Sequence, residues 1–203
     1  MSRKQATVSD ATSPARQILT LEQEFYYPQR DDVARFFFFE GGLLGYSWYV
    51  PKGKGYLNIG LGGFAQYFRN SHLSIHQHFK QFLQNLDKRH LLEAEIGQSL
   101  HPSGYAYYLS SGNGNFNHGQ VKGDRCCLIG DSAGVATIDF AEGIVPSIRS
   151  GLLAASSILG QTDDAFKTVP RSSLRPELQW MRPAFWGIFN LSRTIRSLRP
   201  NPP

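Results

Sequence analysis

The chain has 203 residues, 41% of them hydrophobic and 13% aromatic, with 20 glycines, which is enough apolar surface for a sizeable core in one ordinary domain or two small ones and excludes global disorder. No uninterrupted apolar stretch reaches the length of a bilayer span, and the start, MSRKQATVSDATSPARQ, has no apolar signal core, so the expected location is cytoplasmic. The formal charge of +5 is concentrated from Phe166 onward, where Lys167, Arg171, Arg175, Arg182, Arg193, Arg196 and Arg199 face only Glu177; with no recognisable module of clustered stacking aromatics, nucleic acid is not the expected partner.

In chain order, residues 1–15 are a polar, flexible start. Residues 16–115 hold an antiparallel sheet with a helix. QILTLEQEFYYP, VARFFFFE, GYSWYVPK and GYLNIGLGG read as strands, and EGGLLG and KGKG between them supply glycines for tight reversals, so a meander is predicted. From Ser71, an N-cap candidate, SHLSIHQHFKQFLQNL changes to helical spacing with Leu73, Ile75, Phe79, Phe82, Leu83 and Leu86. YAYYLS returns to extended structure. Residues 116–165 read as strand, loop and helix: DRCCLIGD is a short strand, and a helix opens near Glu142 or Gly143 with Pro146 in its first turn and Ile144, Ile148, Leu152, Ala155 and Leu159 on one apolar face. The adjacent Cys126 and Cys127 read as buried thiols rather than a disulfide. Residues 166–203 form a basic helical tail.

Gly130-Asp131-Ser132-Ala133-Gly134 matches G-x-S-x-G, the turn that presents a hydrolase serine. That elbow requires a helix at once and a histidine later in the chain. All six histidines, His72, His76, His78, His90, His101 and His118, precede Ser132, and VATIDF is a poor helix start. A serine hydrolase is the least favoured reading.

The same stretch suits a flavin. An aspartate at the end of a strand can accept from ribityl hydroxyls, small residues let backbone approach a ligand, and a helix start offers N–H groups and partial positive charge. With Ala141-Glu142-Gly143-Ile144 and Ser150-Gly151-Leu152-Leu153-Ala154-Ala155 at the matching spacing, the segment resembles the second flavin motif of geranylgeranyl reductase-like FAD-dependent oxidoreductases, a branch of the p-hydroxybenzoate hydroxylase superfamily. The resemblance implies FAD as cofactor, with Gly130, Asp131, Gly134, Glu142, Gly143 and Ile144 as cofactor-binding residues. Upstream, YSWYVPKGKGYLNIGLGG is similar to the family's aromatic strand and turn, which implies that Tyr46, Trp48 and Pro51 contribute to a substrate cavity; strand aromatics that merely fill a core are the alternative.

There are departures. Val50 replaces an aromatic, and Ile138 or Asp139 stands where the family has a proline. No opening G-x-G-x-x-G unit and no ribose-binding acid is found, so the resemblance is to the carboxyl-terminal half alone. Gly60, Gly62 and Ala65 imitate a phosphate loop without its context.

The fold class expected is α+β, an antiparallel substrate sheet plus the carboxyl-terminal part of an FAD-binding α/β domain. The function implied is a flavin-dependent reductase or monooxygenase of a large apolar, isoprenoid-like substrate, inactive alone, its FAD site completed by a separate amino-terminal half or a homo-oligomer. The competing class is a non-catalytic remnant or a lipid- or protein-interaction module. No catalytic residue is assigned; Tyr46 is a proton-donor candidate by position only. His72 and His76 have i,i+4 spacing, but no carboxylate completes a shell and no metal is expected. RPAFWGIFNLSRTIRSLRP has the composition of a basic amphipathic helix, open either to docking on the protein or to a peripheral contact with an anionic membrane surface.

Overall fold

The computed structural model describes residues 16–110, 126–161 and 169. They belong to two compact units, Ser13–Tyr107 and the chain from Tyr108 onward. The architecture is α+β.

The first unit is a five-stranded sheet. Its strands are β1 (Gln17–Tyr26), β2 (Arg35–Phe38), β3 (Gly45–Pro51), β4 (Tyr56–Phe64) and β5 (Ser103–Tyr108), in the order β2-β3-β4-β1-β5. Strands β2, β3 and β4 make the predicted meander. β1 does not neighbour β2; it crosses to the far side of β4 and pairs with it antiparallel from Ile18↔Phe64 to Tyr26↔Tyr56. Alternation predicts which face a residue occupies but not which strand lies beside it.

The register sorts the residues of β1 to β4 by parity. Leu21, Leu57, Ile59, Leu61 and Tyr49 fall on the buried face. Against them pack the helices α1 (Ala65–Asn70), α2 (Ile75–Lys88) and α3 (Ala94–Ser99), chiefly through Phe79, Phe82 and Leu86. The Phe37 and Phe82 ring centroids lie 5.7 Å apart. α2 starts three residues later than expected. Its N-cap is Ser74, not Ser71: the Gln77 N–H donates to Ser74 Oγ (3.3 Å) and the Ser74 N–H donates to Gln77 Oε1 (2.7 Å). Only Ser74 has the glutamine three residues on that a reciprocal cap requires. His72 therefore precedes the helix, so His72 and His76 do not share one of its faces. α1 and α3, six residues each, were not anticipated.

His78 is buried in this unit. Tyr67 donates its hydroxyl proton to the Gly42 carbonyl (2.6 Å), so at 3.1 Å it must accept from His78 Nε2–H. Burial holds the imidazole pKa below its ordinary 6.5. The neutral ring is the folded form. Above pH 6.5 both folded and unfolded states are neutral and the stability is fully present. As pH falls below 6.5 the unfolded state takes up a proton first, so stability is lost until the folded pKa is passed. Urea titrations between pH 7 and 5 are expected to show this loss, and His78→Gln, which keeps a donor but cannot titrate, is expected to flatten it.

The second unit includes one long helix, α4 (Ile144–Ile158). It begins where expected, but its orientation reverses the expectation. Pro146, Ser150 and Ala154 are buried, whereas Ile144, Ile148, Leu152 and Leu159, assigned to the interior, are exposed. Ala154 packs on Cys127 and Ala133, with its chain neighbour Leu153 beside it. Of the strand expected at DRCCLIGD, Asp124 and Arg125 lie outside the described residues; Cys127 makes a single bridge, and Leu128 and Ile129 are exposed and carry no strand. The cysteines are free, but Cys126 is exposed and Cys127 half-buried rather than buried. The tail helix expected after residue 166 lies outside the described residues. No described helix is long and apolar enough to cross a membrane.

Candidate functional site

The Gly130-Asp131-Ser132-Ala133 stretch folds as a single 3-10 turn, Gly130–Ala133, closed by Gly134. Gly130 and Gly134 have φ of 59° and 62°, the left-handed region that glycine reaches without strain, and the Gly134 N–H donates to the Asp131 carbonyl (3.0 Å). No helix follows Ser132. The chain runs on through the buried Val135, Ala136 and Thr137, and the Ser110 N–H donates to the Ala136 carbonyl (2.8 Å). Thr137 and Glu142 clasp the loop: the Thr137 N–H donates to the Glu142 carbonyl (2.8 Å) and the Glu142 N–H to Thr137 Oγ1 (3.1 Å).

This loop brings the two ends of the predicted flavin motif together. Asp131 Oδ1 lies 3.2 Å from where a Cβ on Gly143 would stand, so the missing side chain leaves the exposed carboxylate beside the start of α4. Gly143 itself has φ of −111°. The left-handed residue is Ala141, two positions earlier, at 53°. A side chain at 143 would press on the Asp131 carboxylate, so what glycine provides here is space and not an unusual backbone conformation.

The start of α4 has fewer open donors than a helix of ordinary sequence. The Val145 N–H donates to Glu142 Oε1 (2.8 Å), Pro146 has none, and the Ser147 N–H donates to the Gly143 carbonyl (2.9 Å). Among the described residues, the N–H groups of Gly143 and Ile144 have no partner. Glu142 is therefore a cap for α4, and its negative charge already meets the positive end of the helix. With Asp131 alongside, the place suits hydroxyl groups, which both donate and accept, better than an isolated anion.

Two serines were given no role of their own in the sequence. Ser150 accepts from the Gly130 N–H (2.9 Å) and donates to the Ser147 carbonyl (2.8 Å), tying the motif turn to α4; its place in S-G-x-x-A-A was the available signal. Ser110 is buried beside the same loop, and among the described residues its hydroxyl has no partner. Asp139, buried, accepts from the Phe140 N–H (3.0 Å) and so belongs to the loop's own architecture.

In the first unit, Tyr46 and Trp48 share the sheet face opposite the helices, with ring centroids 5.8 Å apart. Phe36 and Phe38, both exposed, stand across from them at Phe36↔Trp48 and Phe38↔Tyr46. By parity Pro51 falls on the other face and is not brought to Tyr46 and Trp48. Gly60 and Gly62 lie mid-strand in β4, paired on both sides, which a phosphate loop cannot be. Their role is steric: Trp48 lies over Gly60, and its Nε1 donates to Asn58 Oδ1 (2.6 Å).

Ser132 is exposed and lacks a hydrolase's following helix, and no three residues of metal-ligating type meet among the described residues. Treatment with a fluorophosphonate probe is expected to give no adduct by intact mass, since no described residue activates the hydroxyl; stoichiometric labelling at Ser132 would restore the hydrolase reading.

No protein-family model and no curated protein sequence matches the chain. Solved structures do. A geranylgeranyl bacteriochlorophyll reductase-like protein from Thermoplasma acidophilum matches with a TM-score of 0.56 at 14% identity, over 95% of this chain and 47% of that one. The peptidyl tryptophan dihydroxylase QhpG, essential for tryptophylquinone cofactor biogenesis, matches with a TM-score of 0.50 at 15% identity, over 93% and 39%. A flavoprotein/dehydrogenase from Cytophaga hutchinsonii reaches 0.43 at 15% identity, over 92% and 46%. At such identities the likeness is one of fold, and the chain spans half or less of the length of these proteins.

Proposed function

We propose that the chain is the substrate-sheet and flavin-ring portion of an FAD-dependent oxidoreductase acting on a large apolar, isoprenoid-like substrate. The observation that carries this reading is the approach of the Asp131 carboxylate to the bare start of α4. The motif resemblance and the fold shared with a reductase-like protein and a dihydroxylase support it.

On this reading Asp131 accepts hydrogen bonds from ribityl hydroxyls, the Gly143 and Ile144 N–H groups donate to the ring, and Gly130 and Gly134 keep side chains out of the way. Ser110 offers a further buried hydroxyl. The residues fit the ribityl and ring end of the cofactor, and nothing in the sequence provides for the adenosine end, which falls to a separate amino-terminal half or to another copy of the chain. The bound flavin would supply hydride for reduction or oxygen chemistry for hydroxylation. Tyr46, Trp48, Phe36 and Phe38 hold and orient an apolar body, and Tyr46 is the proton-donor candidate on that face.

The test is a fluorescence titration of the purified chain with FMN and with FAD. A site contacting only the flavin end is expected to bind both with similar affinity and a Kd above ~1 μM, and dialysis is expected to remove the colour. Absence of binding of either flavin would overturn the assignment of the motif. FAD held through extensive dialysis while FMN is lost would show that the chain grips the adenosine end as well.

A further inference from the structure

The sheet face opposite the helices carries charge as well as aromatic rings. Of the residues that β1 to β4 place on it, Glu22 and Glu24 are charged and none is a lysine, arginine or histidine. Glu22, half-buried, stands opposite Gly60, and Glu24, exposed, stands opposite Asn58. The ion pairs of the described residues join Arg30 to Asp32, Arg35 to Asp31 and Arg89 to Glu40. Among the described residues neither Glu22 nor Glu24 meets a cation or a hydrogen-bond donor. A half-buried carboxylate in that position loses part of its hydration with no return from the fold.

The indole of Trp48 stands beside it. A Cβ on Gly60 would be 2.3 Å from Trp48 Cζ2 and 2.8 Å from Glu22 Cβ, and one on Gly62 would be 3.8 Å from Trp48 Cζ3. The six-membered ring of the indole thus spans two bare glycines, and the Glu22 side chain starts at its rim. Asn58 takes up the indole N–H. What Trp48 can still offer a ligand is its π-face, which among aromatic side chains attracts a cation best. A carboxylate at the rim of that face attracts the same charge and repels an anion.

We propose that the substrate bound on this face carries a protonated amine, which Glu22 pairs and Trp48 covers while Tyr46, Phe36 and Phe38 hold its apolar body. The proposal rests on the reading of this face as the substrate surface and narrows it. An isoprenoid-like chain ending in a carboxylate or a phosphate meets two like charges here and no cation from β1 to β4.

Calorimetric titration of the full chain with geranylamine, geraniol and geranic acid compares three head groups on one isoprenoid body; the amine is protonated at pH 7, as a lysine is. Geranylamine is expected to bind at least ~10-fold more tightly than geraniol, and geranic acid more weakly than either. Glu22→Gln, which keeps the shape and removes the charge, is expected to bring the amine to within about twofold of the alcohol. Glu24→Gln, farther along β1 from the indole, is expected to leave most of the preference. Equal binding of amine and alcohol would overturn the proposal, as would a preference that survives Glu22→Gln or falls equally in both variants. Trp48→Leu then tells the two readings apart: weaker binding of all three compounds keeps the face as the substrate surface, and unchanged binding removes that reading too. Absence of binding by all three compounds would overturn both.

Discussion

Asp131→Ala is expected to weaken flavin binding by ~1.5–3 kcal/mol, roughly tenfold to a hundredfold, the value of a charge-assisted hydrogen bond. The carboxylate is exposed and enters no hydrogen bond that would hold the fold, so its loss is expected to register in the ligand rather than in stability. Ser132→Ala, one residue on and equally exposed, is the control. Asp139→Ala would not serve, because Asp139 is buried and its carboxylate closes the loop at Phe140. Flavin titration of both variants with matched urea curves separates the outcomes. An unchanged affinity in Asp131→Ala would mean that this motif does not hold a flavin. Equal losses in Asp131→Ala and Ser132→Ala would point to collapse of the turn.

Gly60→Ala is expected to cost ~1–3 kcal/mol of stability, out of proportion to one methyl group. An added Cβ would stand 2.3 Å from Trp48 Cζ2, 2.6 Å from Cε2 and 2.8 Å from Glu22 Cβ. The indole must lift off β4, which breaks its hydrogen bond to Asn58 and disturbs the aromatic face that includes Tyr46. Urea unfolding measures the cost, and a double-mutant cycle with Trp48→Leu isolates its cause. If the indole is the main obstacle, Gly60→Ala costs less once Trp48 is gone. An equal cost in both backgrounds would place the obstacle at Glu22 Cβ of β1 instead.

The strands and the two long helices were legible because their spacing is local. Alternation in YSWYV and LNIGLG fixes two faces, and Phe79, Phe82 and Leu86 fix one side of α2. Pairing was not legible, because nothing in QILTLEQEFY distinguishes β4 from β2 as its neighbour. α4 misled for a physical reason: its large aliphatic side chains suggest an inward face, yet the inward face is the one whose small residues allow close approach. At the candidate site, the motif spelled out Gly130, Asp131, Glu142 and Gly143 but not their division of labour. That Glu142 caps the helix, that Asp131 comes against Gly143, and that Ser150 secures Gly130 depend on how a loop of about a dozen residues closes. Spacing carries no record of that.

The position of β1 bears on how the chain is made. Ile18 pairs with Phe64, and β5, the other neighbour of β1, ends at Tyr108. On the ribosome, β1 emerges first and has no partner until the chain has grown through β2 and β3 to β4, and its second edge stays open until β5 arrives. For that interval a strand containing Leu19, Leu21, Phe25 and Tyr26 carries unpaired backbone on both edges, the condition under which nascent chains associate. Once β4 and β5 are in place, β1 is an interior strand, and the segment most hazardous during synthesis becomes one of the best protected in the sheet.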